Sequence, residues 1–161
     1  MEHKIVEKGE IRIVGNGIRT RIINEEHYRD ISAFWDEPHK NGFIKQLVEQ
    51  AGDMGLFGIC KDFDEKDKSY TYFIGVEKPT SEIPNGWEEV TVPPSTWAVF
   101  PSKGQMPDAI RNVWDRIFTE WFPASTYERA GTPEMEIYPN GVENDTDENY
   151  ICEVWIPIIK K

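Results

Sequence analysis

Glu153 stands in Tyr150–Ile158 (YICEVWIPI), the most apolar strand-like run of the chain. A carboxylate in such a strand gives up water that no sequence neighbour replaces. It must be paired, be protonated, or receive a cation. Framed by aromatic residues, it could hold a cationic apolar ligand or activate a water beside one. Strand alternation puts Cys152, Val154, Ile156 and Ile158 on one side and Ile151, Glu153 and Trp155 on the other. Glu153 is therefore expected to face away from the helix-packed side, with Trp155 next to it. A buried salt bridge, or an edge strand with Glu153 in water, would account for it without a ligand.

Trp97 and Tyr72 fall in strand-like runs of different halves and could wall such a site. Each favourable ring would add about 0.5–2 kcal/mol of cation–π attraction when desolvated. The same residues would also serve as ordinary core. Trp114 and Trp121 lie on one apolar helix face; Trp114 reads as core, whereas Trp121 at the helix end could reach a groove. Asp62–Asp67 lacks the central Gly and distal Glu of a calcium loop and reads as a solvated hairpin turn. His3, His27 and His39 have no metal-ligand spacing, and Ser95, Ser102 and Ser125 have no nucleophile-elbow context. Gly15-Asn-Gly17 and Ser102-Lys-Gly104 lack phosphate-loop spacing. No metal and no cofactor is expected.

The positioning elements follow from hydrophobic period. Ile11–Val14 and Ile18–Ile23 are β-rich runs separated by Gly15-Asn16-Gly17, which signals a turn or bulge. A helical pattern carries Ile31, Phe34 and Trp35, is broken by Pro38 and Gly42, and resumes with Phe43, Leu47 and Val48. Leu56–Cys60 and Tyr70–Val76 form a hairpin. After the connector Pro79–Gly86 come Glu88–Val92 and Thr96–Phe100. A second helix begins near Pro107, carries Ile110, Val113, Trp114, Ile117 and Trp121 inward, and ends at Pro123. Glu134–Tyr138 and Tyr150–Ile158 close a second hairpin around the loop Asn140–Asn149.

Strand, helix, strand, strand thus occurs twice, over approximately residues 10–78 and 87–160 of a single domain spanning 1–161. Neither half could cover a sheet alone. The expected fold is α+β: duplicated β-α-β-β units with pseudo-twofold symmetry, an antiparallel sheet with helices on one face, and a groove between halves.

The totals bound the function. Net charge is −11, which argues against a nucleic-acid-binding surface and favours cationic or neutral partners. Six Trp residues need a core or a concave surface to cover them. There is no secretory h-region and no apolar run of membrane-spanning length. Cys60 and Cys152 read as reduced thiols of a cytoplasmic protein.

Pro84-Asn-Gly86, Trp97–Phe100 with Gly104, Trp114, Trp121-Phe-Pro123, Pro133–Tyr138 and Cys152–Pro157 occur in an order that resembles the GyrI-like, or AraC-type effector-binding, domain family. The resemblance implies the ligand-sensing module of bacterial multidrug-responsive transcription regulators. It places the family's pocket acid on Glu153, receiving lipophilic cations between aromatic walls. Trp155, Trp97, Tyr72, Trp121 and Tyr138 are the accompanying ligand-binding candidates. The family's usual Tyr before Ala-Val-Phe is Trp97 here, which removes a hydroxyl. No helix-turn-helix pattern precedes residue 10, so direct DNA reading is not expected.

Three functions follow from this. The first is a stand-alone binding module for amphipathic, cationic aromatic molecules. The second, as in some similar proteins, is a hydrolase of cyclopropane-bearing alkylating compounds, with Glu153 as general base and Tyr72 or Tyr138 as proton donor. The third is a gyrase-inhibitor-like module with a protein partner. Trp97 in place of Tyr tilts the balance toward holding a cation.

Overall fold

The computed structural model describes residues 1–80, 82–139, 141 and 145–161, without the side chains of 37–41. Pro38, His39 and Asn140 of the sequence reading fall outside those described in full.

In chain order the described residues form nine strands, with helices after the second and after the sixth. They are β1 (Lys4–Lys8), β2 (Ile11–Arg21), α1 (Glu26–Asn41), α2 (Phe43–Gln50), β3 (Leu56–Asp64), β4 (Ser69–Glu77), β5 (Glu88–Val92) and β6 (Ser95–Lys103). Then come α3 (Asp108–Arg116), a π-helical turn (Ile117–Trp121), α4 (Phe122–Ala124), β7 (Tyr127–Arg129), β8 (Glu134–Tyr138) and β9 (Ile151–Lys160). Both predicted hairpins form: β3 pairs β4 and β8 pairs β9.

Sheet order is β1-β6-β9-β8-β3-β4-β2-β5, every pairing antiparallel, with β7 pairing the C-terminal end of β9 at Ile158, Ile159 and Lys160. Read outward from the central β8–β3 pair, the order is a palindrome. One half supplies β8, β9 and β6; the other supplies β3, β4 and β2. The outermost strands are exchanged. β1, from the beginning of the chain, pairs with β6 of the second half, and β5 pairs back onto β2. This is the duplicated α+β arrangement with pseudo-twofold order.

β2 runs without interruption through Gly15-Asn16-Gly17, where the sequence signals a turn. The glycines serve a close approach instead. Gly15 faces Gly75 across the β2–β4 pair, and a Cβ on Gly15 would overlap the Ile74 carbonyl oxygen. The second helix also differs from a simple stop at Pro123. A π turn, in which the Phe122 N–H reaches the Ile117 carbonyl, precedes a last turn that contains Pro123 and gives way to extended backbone at Ser125.

The helices lie on one face of the sheet. Ile44 and Leu47 of α2, Ile110 of α3, and Ile117 and Trp121 of the π turn pack there with Tyr72, Ile74, Tyr138, Val154 and Ile156. Ile31, Phe34 and Trp35 of α1 join at partial burial. α1 and α2 part at Gly42, whose φ of 81° leaves the helical region. The opposite face has its own core, formed by Ile13, Phe57, Ile59, Phe73, Val92, Trp97, Met135, Ile137 and Trp155. That face is filled rather than open.

Candidate functional site

The decisive geometry is the phase of β8. Its register with β9 sets Glu136 opposite Val154, on the helix face, and Ile137 opposite Glu153, on the other face. Its register with β3 sets Glu136 opposite Gly58 and Tyr138 opposite Leu56. On β4, Tyr72 stands opposite Cys60 and Ile74 opposite Gly58, again on the helix face. The central strand pair thus brings Glu136, Tyr138 and Tyr72 together at the seam between halves.

Their contacts form one network. The Tyr72 hydroxyl donates to Glu136 Oε1 at 2.6 Å, and the Tyr138 hydroxyl donates to the same oxygen at 2.8 Å. The Trp114 indole N–H, from α3, donates to Oε2 at 2.8 Å. From α1, the Trp35 indole N–H donates to the Tyr72 hydroxyl at 3.0 Å, which fixes that hydroxyl as a donor toward Glu136. Trp35 also meets the Tyr138 ring edge-on, with centroids 5.4 Å apart. Each half therefore contributes one helix-borne indole and one strand-borne tyrosine to the network, with Trp35 acting on the carboxylate through Tyr72.

Glu136 is 8% exposed, and among the described residues no ion pair reaches it. Burial pushes its pKa above the usual carboxylate range, against the opposing pull of the Tyr72, Trp114 and Tyr138 hydrogen bonds. Burial, reinforced by the Glu136 charge, pushes both tyrosine hydroxyls well up, so they remain neutral donors. Such a carboxylate is solvated by fixed dipoles rather than by a cation of the described residues.

Gly58 is the floor under this network. A Cβ there would collide with the Tyr72 hydroxyl and lie 2.9 Å from Glu136 Oε1. Gly58→Ala is expected to force the Tyr72–Glu136 pair apart, destabilising the fold by about 1–3 kcal/mol. Thermal melting and the tyrosine hydroxyl resonances would read this out; an unchanged melting temperature with an intact hydrogen bond would contradict it.

The residues marked from sequence separate into groups. Tyr72 and Tyr138 are in the network. Trp114, read as core, contributes an essential donor, and Trp35 was not singled out. Trp121 is on the helix face, but its ring partners are Phe100, Phe122, Tyr127 and His3. Trp97 and Trp155 are in the opposite core, edge-to-face with centroids 5.9 Å apart. Glu153 shares that face, as alternation requires, and accepts the Trp155 indole N–H at 3.2 Å. It is only partly buried. The structure thus does not bring Glu153, Trp155 or Trp97 together with Tyr72 and Tyr138. The sequence expectation looked for the ligand on the face free of helices, but that face is closed by its own apolar side chains.

Two surface hollows lie elsewhere. One of about 360 Å³ is lined by residues including Lys8, Arg12, Met54 and Glu77. One of about 420 Å³ is lined by residues including His3, Trp121 and Tyr127. Neither includes the Glu136 network. Over Glu136 itself the half-buried indoles of Trp35 and Trp114 approach from α1 and α3. Arg111 of α3 ties the two helices together, resting 4.2 Å from the Tyr28 ring centroid and donating to Ser32 Oγ at 3.4 Å. No helix among the described residues is long and apolar enough to cross a membrane.

Comparison with known proteins gives a consistent picture. The family model described as Cass2, integron-associated effector binding protein, matches residues 4–158. A Bacillus subtilis (strain 168) protein named as a transcriptional regulator, YobU, is 26% identical over 113 residues, covering 68% of this chain and 69% of that one. The structure of SAV2435 bound to tetraphenylphosphonium superposes with a TM-score of 0.85 at 23% identity, covering 99% of this chain and 94% of the other. An integron cassette protein from the mobile metagenome of Vibrio cholerae superposes with a TM-score of 0.72 at 16% identity, covering 98% and 95%.

Proposed function

Because this chain belongs to the Cass2 family of integron-associated effector-binding proteins, we propose that its effector is an amphipathic aromatic cation held over the β3–β8 seam by Glu136. The observation that carries this reading is a nine-tenths-buried carboxylate with three neutral donors and, among the described residues, no counter-ion, set between the indoles of two helices. A cation entering there would complete an electrostatic arrangement the protein leaves half made. Trp35 and Trp114 would swing aside and stack on the ligand, each favourable ring adding about 0.5–2 kcal/mol. Tetraphenylphosphonium, bound by SAV2435 on the same fold, has the fixed charge and apolar skirt this chemistry favours.

The hydrolase reading passes from Glu153 to the Glu136–Tyr72 pair, whose 2.6 Å contact could relay a proton. Both Glu136 oxygens, however, already accept strong hydrogen bonds, which lowers the carboxylate's basicity toward a water. Holding a cation asks nothing more of those oxygens than the negative charge they carry.

The pKa of Glu136 gives the test. Only its ionised form attracts the cation, and that form is disfavoured by burial. Affinity for tetraphenylphosphonium, whose charge does not titrate, should therefore fall as pH drops through a transition above the usual carboxylate range. The stability of the free protein should run the other way. A raised folded pKa contributes stability that is full below the unfolded pKa and is lost as pH rises through the folded one. Calorimetric titration across pH, alongside thermal melting, reads both slopes. Affinity that is flat until the ordinary carboxylate range would remove Glu136 as the anchor.

A further inference from the structure

Two residues before Glu136, on the same face of β8, stands a second buried acid, Glu134, whose side chain is 9% exposed. Same-face neighbours on a strand lie roughly 7 Å apart. Unlike Glu136, Glu134 has a cation. Arg129 of β7 grips it through both oxygens, Nε to Oε2 at 2.7 Å and Nη2 to Oε1 at 2.8 Å. The guanidinium also rests 4.7 Å from the Phe118 ring centroid. Phe118 in turn stacks on Trp114, 6.0 Å away with planes 20° apart, and Trp114 is the indole that donates to Glu136. A cation bedded between a carboxylate and an aromatic face is the same chemistry the Glu136 site offers a ligand. At the Glu134 position the protein supplies that cation itself, on a side chain that is 53% exposed and free to leave.

We propose that Glu134 and Phe118 form an outer cation subsite that Arg129 occupies as a tethered competitor, so that aromatic dications bind across Glu136 and Glu134 by displacing it. This inference rests on Glu136 as the inner anchor and adds a charge-selecting device to it. With Arg129 in place, a monocation meets one free carboxylate and is favoured. A dication with its charges about 7–9 Å apart engages the second carboxylate only by breaking the Arg129 fork. Arg129 is thus a specificity-determining residue, and the cost of lifting it off sets the preference between singly and doubly charged effectors.

The test compares benzylammonium with para-xylylenediammonium, the same ring bearing one or two ammonium groups. Each is titrated into wild type, Arg129→Ala, Glu134→Gln and the double variant. Arg129→Ala should bind the dication about tenfold more tightly, with benzylammonium changed by less than about threefold. Glu134→Gln in the Arg129→Ala background should erase the dication's gain. Arg129→Ala leaves Glu134 unpaired and should melt lower than wild type; saturating dication should raise its melting temperature by more than it raises that of wild type. Equal changes for both ligands in Arg129→Ala, or a dication gain that survives Glu134→Gln, would overturn the outer subsite. Failure of the inner anchor reads differently: benzylammonium affinity would then be indifferent to Glu136→Gln, whatever Arg129 does.

Discussion

Glu136→Gln should weaken tetraphenylphosphonium binding by about a hundredfold, a loss of about 2.7 kcal/mol. That lies within the range for removing one member of a desolvated charge pair, because the cation would then be buried against a neutral amide. The substitution keeps shape and volume, so the indole walls and their apolar contacts remain. It does disturb the network. Glu136 now accepts from Tyr72 and Tyr138 on one oxygen and from Trp114 on the other. An amide offers one accepting oxygen, and its NH2 group must face a donor. One hydrogen bond is therefore lost, at a cost of about 1 kcal/mol. Against that, the variant no longer buries an ionised group, so the net change in unliganded stability at neutral pH should be small. The informative pattern is a large affinity loss with little change in melting temperature, and no pH dependence of binding in the variant. Glu153→Gln serves as the control and should bind as wild type does. If Glu153→Gln loses the ligand and Glu136→Gln keeps it, the site is on the other face of the sheet.

Trp97→Ala should show the opposite pattern: a large stability loss and no change in affinity per folded molecule. Trp97 is wholly buried in the core on the face without helices, packed edge-to-face on Trp155. Emptying an indole-sized volume there should cost about 3–5 kcal/mol. Among the described residues the indole N–H has no hydrogen-bond partner, so part of what the ring gains by burial is offset by an unsatisfied donor. Trp97→Phe should consequently recover most of the stability, because it restores aromatic volume and removes the orphan group. Denaturant unfolding and calorimetric titration measure the two quantities separately. A Trp97→Ala protein that melts like wild type but no longer binds the cation would mean that Trp97 walls the ligand, as the sequence resemblance implies.

These paired predictions reflect where the sequence could be read and where it could not. The helices and hairpins were legible because each is local: Ile110, Val113 and Trp114 recur at helical spacing, and Tyr70–Val76 is a β-rich run bounded by turn residues. β1 was not, because Lys4–Lys8 presents polar residues on both faces of an edge strand. Its partner, β6, is some ninety residues away in the chain, and nothing local announces the pairing. The tyrosines of the Glu136 network are legible from aromatic content in strands. Apolar flanks alone do not choose between the two strand acids. Glu153 and Glu136 both have such flanks; what separates them is strand phase, set by the Glu136–Val154 pairing. One signal was present. Tyr138 lies two residues from Glu136 and so shares its face, and Gly58 is the one small residue opposite them. Acid, hydroxyl and missing side chain together mark a site more strongly than an acid in a hydrophobic run.

The exchanged outer strands bear on how the protein is made. A nascent chain produces β1 through β4 first, but β1 finds its partner only when β6 appears, and β3 keeps an open edge until β8 arrives. Synthesis proceeds from the N-terminus, so the first half must wait with unpaired edges and cannot settle as an independent unit. Tyr72, Trp35 and Gly58 are translated before Trp114, Glu136 and Tyr138. The Glu136 network therefore forms late and all at once: the carboxylate reaches a Tyr72 hydroxyl already waiting for it, Tyr138 follows two residues later, and the network is complete only in a chain whose two halves have closed on each other.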